Sequence, residues 1–148
     1  MLIITGANGF IGSQLVAHFN RLGRQDLVLV DTVPPQDRPA PLAGTKSSRF
    51  LKKNESWDYL RTKEAQQEVT AIIHMGANSS TTETDWNHLH ENNVLYTEKL
   101  WTWCTSHNKT YIYASSAATY GDGENGYDDA TAPAQLKPLN LYGKSKND

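Results

Sequence analysis

Two stretches of this chain carry residue types at spacings that could do chemistry. The first is Gly6-Ala7-Asn8-Gly9-Phe10-Ile11-Gly12, with its glycines at successive spacings of three. The first glycine permits a tight turn, the second lets backbone approach a pyrophosphate with no Cβ in the way, and the third allows close helix–strand packing. Amides at the start of a following helix, with its macrodipole, would then face phosphate oxygens. The second stretch is Ser115-Ser116, followed further on by Tyr142-Gly143-Lys144-Ser145-Lys146. A helix starting near Leu141 puts Tyr142 and Lys146 on one face, with the ammonium close to the phenol. That cation, together with an oxidised nicotinamide, moves a group of ordinary pKa about 10 toward neutrality. Tyr142 is then a general base that takes the proton of a substrate hydroxyl while hydride leaves the same carbon. Ser116 orients that hydroxyl and stabilises charge developing on its oxygen.

Asp31, closing the second apolar run, can accept hydrogen bonds from an adenosine ribose, which favours NAD. Arg38, Lys52 and Lys53 follow, and a cationic side chain folding back would neutralise a 2′-phosphate, which favours NADP. On the residues alone both cofactors stay open, and solvated surface charge competes for all three cations, most strongly for Lys52. A metal reading is rejected: His88 and His90, two apart on a helix, point to different faces and have no acidic partner at ligand spacing. His74, at a strand end, reads as structural rather than catalytic. Cys104 is the only cysteine, so neither an intramolecular disulfide nor a cysteine cage is available, and it reads as a buried spectator thiol.

The elements that must position these residues alternate. Leu2 to Thr5 is a continuous apolar run, as expected of a strand buried on both faces. Phe10, Ile11, Leu15, Val16 and Phe19 recur at helical spacing until Gly23, and Leu27 to Val30 is a second buried strand. Pro34, Pro35, Pro39 and Pro41 make residues 32–48 a surface loop with neither helix nor central strand. A weak strand is expected at Arg49 to Leu51, a polar helical stretch from Ser56 to Glu68, and a buried strand at Ala71 to His74. A long helix follows from Trp86 to His107, its aromatics serving packing, and then a buried apolar strand from Thr110 to Ser115. The alternation implies an α/β fold, a doubly wound parallel sheet with right-handed crossovers.

Hydrophobic residues are 38%, charged residues 20% and the net charge −2, which argues against nucleic acid as a partner. No apolar stretch reaches the roughly 20 residues that span a bilayer, and no basic leader opens the chain, so no membrane partner and a cytoplasmic location are expected.

Taken together, the glycine turn, His74-Met75-Gly76-Ala77-Asn78-Ser79-Ser80-Thr81-Thr82-Glu83, Asn92-Asn93, Ala114-Ser115-Ser116-Ala117-Ala118-Thr119-Tyr120-Gly121 and Lys137-Pro138-Leu139-Asn140-Leu141-Tyr142-Gly143 resemble the extended short-chain dehydrogenase/reductases. The resemblance spans essentially the whole chain. Within that resemblance the run from Ser79 to Glu83 points to nucleotide-sugar epimerases acting on an ADP-heptose rather than to sugar 4-epimerases, 4,6-dehydratases or ketoreductases.

The resemblance implies a Rossmann-type NAD(P)-binding domain over residues 1–148, ending just after Tyr-x-x-x-Lys, with the substrate domain absent. It implies that Gly6, Gly9, Phe10, Ile11 and Gly12 meet the pyrophosphate, and that Asp31 and Thr32 hold the adenosine ribose. Arg38 and Lys53 would meet a 2′-phosphate, making NADP the leading cofactor and NAD the alternative. Met75, Gly76, Ala77, Asn78, Ser79 and Asn92 would line the cofactor crevice, Lys146 would bind its ribose, and Ser79 and Ser116 would touch a sugar-nucleotide substrate. The implied reaction oxidises the heptose C6 hydroxyl to a ketone and re-reduces it from the opposite face, in lipopolysaccharide core precursor synthesis, by a protein that is a homo-oligomer at full length. Thr32 stands where asparagine is usual in this family, and Asn78 where cysteine is. The competing expectations are a non-catalytic, truncated dinucleotide-binding module and a UDP-sugar 4-epimerase or dehydratase.

Overall fold

The structure is a computed structural model and describes residues 1–148. Its elements follow the apolar runs and their punctuation: β1 (Leu2–Thr5), α1 (Phe10–Arg21), β2 (Leu27–Asp31), β3 (Arg49–Lys52), α2 (Ser56–Leu60), α3 (Lys63–Glu68), β4 (Ala71–His74), α4 (Trp86–Leu89), α5 (Tyr96–Ser106), β5 (Thr110–Tyr113) and α6 (Leu141–Asn147). The strands form one parallel sheet in the order β3-β2-β1-β4-β5, the doubly wound arrangement expected. The chain divides into two compact units, Met1–Gly76 with Leu100–Tyr113, and Ala77–Lys99 with Ala114–Asp148.

The sheet belongs to the first unit. Its central strands are buried on both faces because their residues alternate between two apolar layers. Leu2, Ile4, Leu27 and Leu29 pack with Val16, Leu15 and Phe19 of α1, while Ile3, Val28 and Ile72, one residue along in the register, face the other way and are equally buried. Trp103 of α5 donates its indole N–H to Leu60 C=O at 2.9 Å, fixing α5 to the end of α2. Cys104 is buried, and burial pushes its thiol up to about 11.

Four expectations need correction. Within residues 32–48, Ala40–Leu42 makes a 3₁₀ turn that buries Leu42 against the sheet, the prolines being tolerated at its start. The stretch from Ser56 to Glu68 is two helices, because the Thr62 hydroxyl accepts Ala65 N–H and starts α3 afresh. The helix from Trp86 ends at Ser106 and is interrupted by a π-helical segment, His90–Leu95. The last strand stops at Tyr113 and is not buried. It is the sheet's edge, paired only with β4, and Ile112 and Tyr113 are 52% and 37% exposed.

Candidate functional site

In the first unit the glycine turn joins β1 to α1 and is tied down from several directions. Gly6 adopts φ +63, and a Cβ there would stand 2.7 Å from Gly76 N; a Cβ on Gly12 would stand 2.0 Å from Gly6 O. Two backbone segments therefore pass too close for any other residue. Asp31 braces the turn from β2: one carboxylate oxygen accepts Asn8 N–H at 2.9 Å and the other accepts Val33 N–H at 3.1 Å. Asn8 Nδ2 donates to Val33 C=O at 3.0 Å, and the Arg38 guanidinium folds back to donate to Asn8 C=O. Thr32 is exposed and its hydroxyl donates to Asp31, while Lys53 is half-buried after β3. At the other side of β1, Thr5 Oγ1 bonds His74 Nδ1 at 2.5 Å and accepts Gly76 N–H at 3.1 Å, which ties β4 and the start of its loop to β1.

These residues fit a dinucleotide's phosphates. Gly9 caps α1 without a side chain, so no hydroxyl or carboxylate occupies the amides of Phe10 and Ile11. Asn8 Oδ1 is buried with no hydrogen-bond partner, and Phe10 and Ile11 hold their side chains in solvent at 86% and 59% exposure.

The second unit gathers the residues that the sequence offers as candidates for proton transfer. Asn140 starts α6 by accepting Gly143 N–H on its side chain at 2.7 Å, which places Tyr142 and Lys146 one turn apart on a common face. Lys146 is 7% exposed and donates to Ala114 C=O at 2.8 Å; burial lowers the pKa of its amine. Ser116 follows Ala114 by two residues, half-buried, its hydroxyl accepting Ala118 N–H at 3.2 Å as the cap of the 3₁₀ turn Ala117–Tyr120. Gly143 lets α6 lie against that turn, since a Cβ would come within 2.6 Å of Ala118 O. Lys144 lies over the Trp86 ring at 3.9 Å, which ties α6 to α4.

The loop residues read as crevice-lining fall in both units: Met75 and Gly76 in the first, Ala77, Asn78 and Ser79 in the second. Asn92 donates to His88 C=O at 2.8 Å along its own helix, and its neighbour Asn93, given no site role from the sequence, is buried and holds Asn78. Thr5 and Asn8 were also given no role; only the place of Thr5 before Gly6 and of Asn8 before Gly9 hinted at them. No cluster of His, Cys, Asp and Glu could hold a metal ion, and no helix is long and apolar enough to cross a membrane.

A parallel sheet in this order, a glycine turn after its first strand and a Tyr-x-x-x-Lys helix define a Rossmann-type α/β protein of the extended short-chain dehydrogenase/reductase kind. Within that class the chain belongs to the NAD dependent epimerase/dehydratase family, whose model matches residues 2–147. The ADP-L-glycero-D-manno-heptose-6-epimerase of Fusobacterium nucleatum subsp. nucleatum is 44% identical over 149 residues, covering 99% of this chain and 45% of the relative. The enzyme of that name from Nitratidesulfovibrio vulgaris (strain Hildenborough) is 41% identical over 147 residues, covering 99% and 46%. Among solved structures, MoeE5 in complex with UDP-glucose and NAD matches with a TM-score of 0.77 at 26% identity, covering 98% of this chain and 45% of MoeE5. The chain spans about half the length of the curated relatives it matches.

Proposed function

We propose that the chain is the cofactor-binding part of a nucleotide-sugar 6-epimerase that acts on an ADP-heptose with NADP, in the making of lipopolysaccharide core precursors. The observation that carries this reading is α6, which sets Tyr142 one turn from a buried Lys146, together with an uncapped α1 behind a tightly braced glycine turn. The heptose epimerases at 44% and 41% identity support the substrate.

In this reading Gly6, Gly9, Phe10, Ile11 and Gly12 offer the pyrophosphate backbone amides with no side chain in competition. Asp31 and Thr32 hold the adenosine ribose, and Met75, Gly76, Ala77, Asn78, Ser79 and Asn92 line the remainder. The bound dinucleotide supplies hydride acceptance from the heptose C6 and hydride return. Tyr142 removes the C6 hydroxyl proton and later returns it, Ser116 and Ser79 hold the substrate, and Lys146 binds the ribose while its charge favours phenolate. NADP is preferred over NAD because Arg38, exposed to solvent, turns its guanidinium back onto the glycine turn at Asn8 C=O, and Lys53 is half-buried beside Lys52. NAD, named with MoeE5, is the alternative. The full-length protein is read as a cytoplasmic homo-oligomer with a sugar-nucleotide partner and neither nucleic acid nor membrane.

Titration calorimetry of the purified chain with NADP and NAD, followed by incubation with ADP-heptose and with UDP-hexose and resolution of the epimers, tests this. Saturable binding tighter for NADP and conversion of ADP-heptose alone are expected. Heat with neither dinucleotide overturns the cofactor reading, and conversion of UDP-hexose alone overturns the heptose. Binding without conversion favours a non-catalytic dinucleotide-binding module.

A further inference from the structure

The second unit contains a run of side-chain hydrogen bonds that the reaction does not use. Asn93, in the π-helical segment, is 2% exposed. Its Oδ1 accepts Asn78 N–H at 2.8 Å, and its Nδ2 donates both to Asn78 C=O at 2.9 Å and to Ser145 Oγ at 2.8 Å. Both of its amide protons are thereby used. Ser145, 4% exposed, donates in turn to Tyr142 C=O at 2.8 Å. On the outer side, Asn78 Nδ2 donates to Glu83 at 3.2 Å, and the other Glu83 oxygen accepts Thr84 N–H and Asp85 N–H, each at 2.9 Å.

We propose that Asn93 and Ser145 are positioning residues that make the segment 77–85 and α6 one mechanical body, so that whatever orders the hydroxyl-rich segment also sets Tyr142 and Lys146. An amide and a hydroxyl that are buried together have no water to replace a lost partner, so removing either one frees both backbone segments. A side chain that merely filled space would loosen only its own helix. The value of this coupling for chemistry rests on reading Tyr142 and Lys146 as catalytic; the coupling itself does not.

Amide hydrogen exchange by NMR on the intact chain tests it without measuring turnover, so its failure leaves the proposed function standing, and a failed calorimetric titration leaves the coupling standing. Ser145→Ala is expected to speed exchange at Asn78 N–H and in α6 alike, by about tenfold, the loss of one buried hydrogen bond. Amides of β1, β2 and β4 should keep their rates, Ser145→Thr should restore protection, and adding Ser145→Ala to Asn93→Ala should change little. Glu83→Gln, at the exposed end and outside the core, should give a smaller acceleration in the same segments. Acceleration confined to α6 in Ser145→Ala, acceleration confined to 77–85 in Glu83→Gln, or additive effects in the double variant would overturn the proposal.

Discussion

Lys146 shows how a single residue is shaped by its surroundings. Its ammonium is taken out of water and donates to Ala114 C=O, and burial lowers its pKa from the ordinary 10.5. The unfolded chain then holds this proton more tightly than the folded one, so the group's contribution to stability rises as pH climbs toward 10.5 and is least favourable at neutral pH and below. Denaturant titrations should show a steeper gain in stability with alkaline pH for the wild type than for Lys146→Met; equal slopes would mean that the amine is not desolvated. At this scale the sequence was informative about which residues are candidates for chemistry and poor on what holds them. Tyr142, Lys146 and Ser116 stand out as candidates because the proposed chemistry fixes their types. Asn93 was not, since either amide of the Asn92-Asn93 pair could face inward, and the π-helical segment decides which one does. Asp31 was legible as a carboxylate at a strand end. That both its oxygens already accept backbone N–H groups is a property of the turn, invisible in composition.

Among the elements, strands were readable wherever a short apolar run had turn residues on either side. β5 shows the limit of that reading: Tyr111, Ile112 and Tyr113 look like buried residues, but burial depends on what lies beside the strand, and the run itself does not encode it. Thr62 shows another limit, where one side-chain cap divides a helical stretch whose composition is uniform. Helix contacts hinge on glycines in unequal ways. Gly143→Ala drives a Cβ to 2.6 Å from Ala118 O, a backbone atom that cannot step aside, and is expected to cost about 1–3 kcal/mol, with lost protection in α6. Gly23→Ala meets nothing within 4 Å and suffers only its φ of +79, about 1–2 kcal/mol, with no change at α6. Urea unfolding paired with exchange mapping separates the two, and equal local effects would contradict the packing argument.

On the scale of the molecule, β5 stands at the end of the strand order, with Ile112, Tyr113 and the 59% exposed Trp101 beside it. Such an edge is a template for pairing with another copy. Sedimentation velocity should show concentration-dependent association that Ile112→Lys reduces; a monomer at every concentration would contradict it. The bracing of the glycine turn also bears on how the protein ages. Asn8-Gly9 and Asn125-Gly126 are both dipeptides prone to deamidation, which requires the glycine nitrogen to attack the asparagine side chain. Asn8 is fully buried, with its side chain held on Val33 C=O and Gly9 N–H held on Gly6 C=O. Asn125 is exposed: its side chain donates to Gln135 C=O and Gly126 N–H to Gly123 C=O, but both bonds lie in a surface loop and open more readily than those of the buried turn. On storage the conversion of amide to acid should therefore accumulate at Asn125 in peptide mass maps, while Asn8 stays intact for as long as the turn is folded.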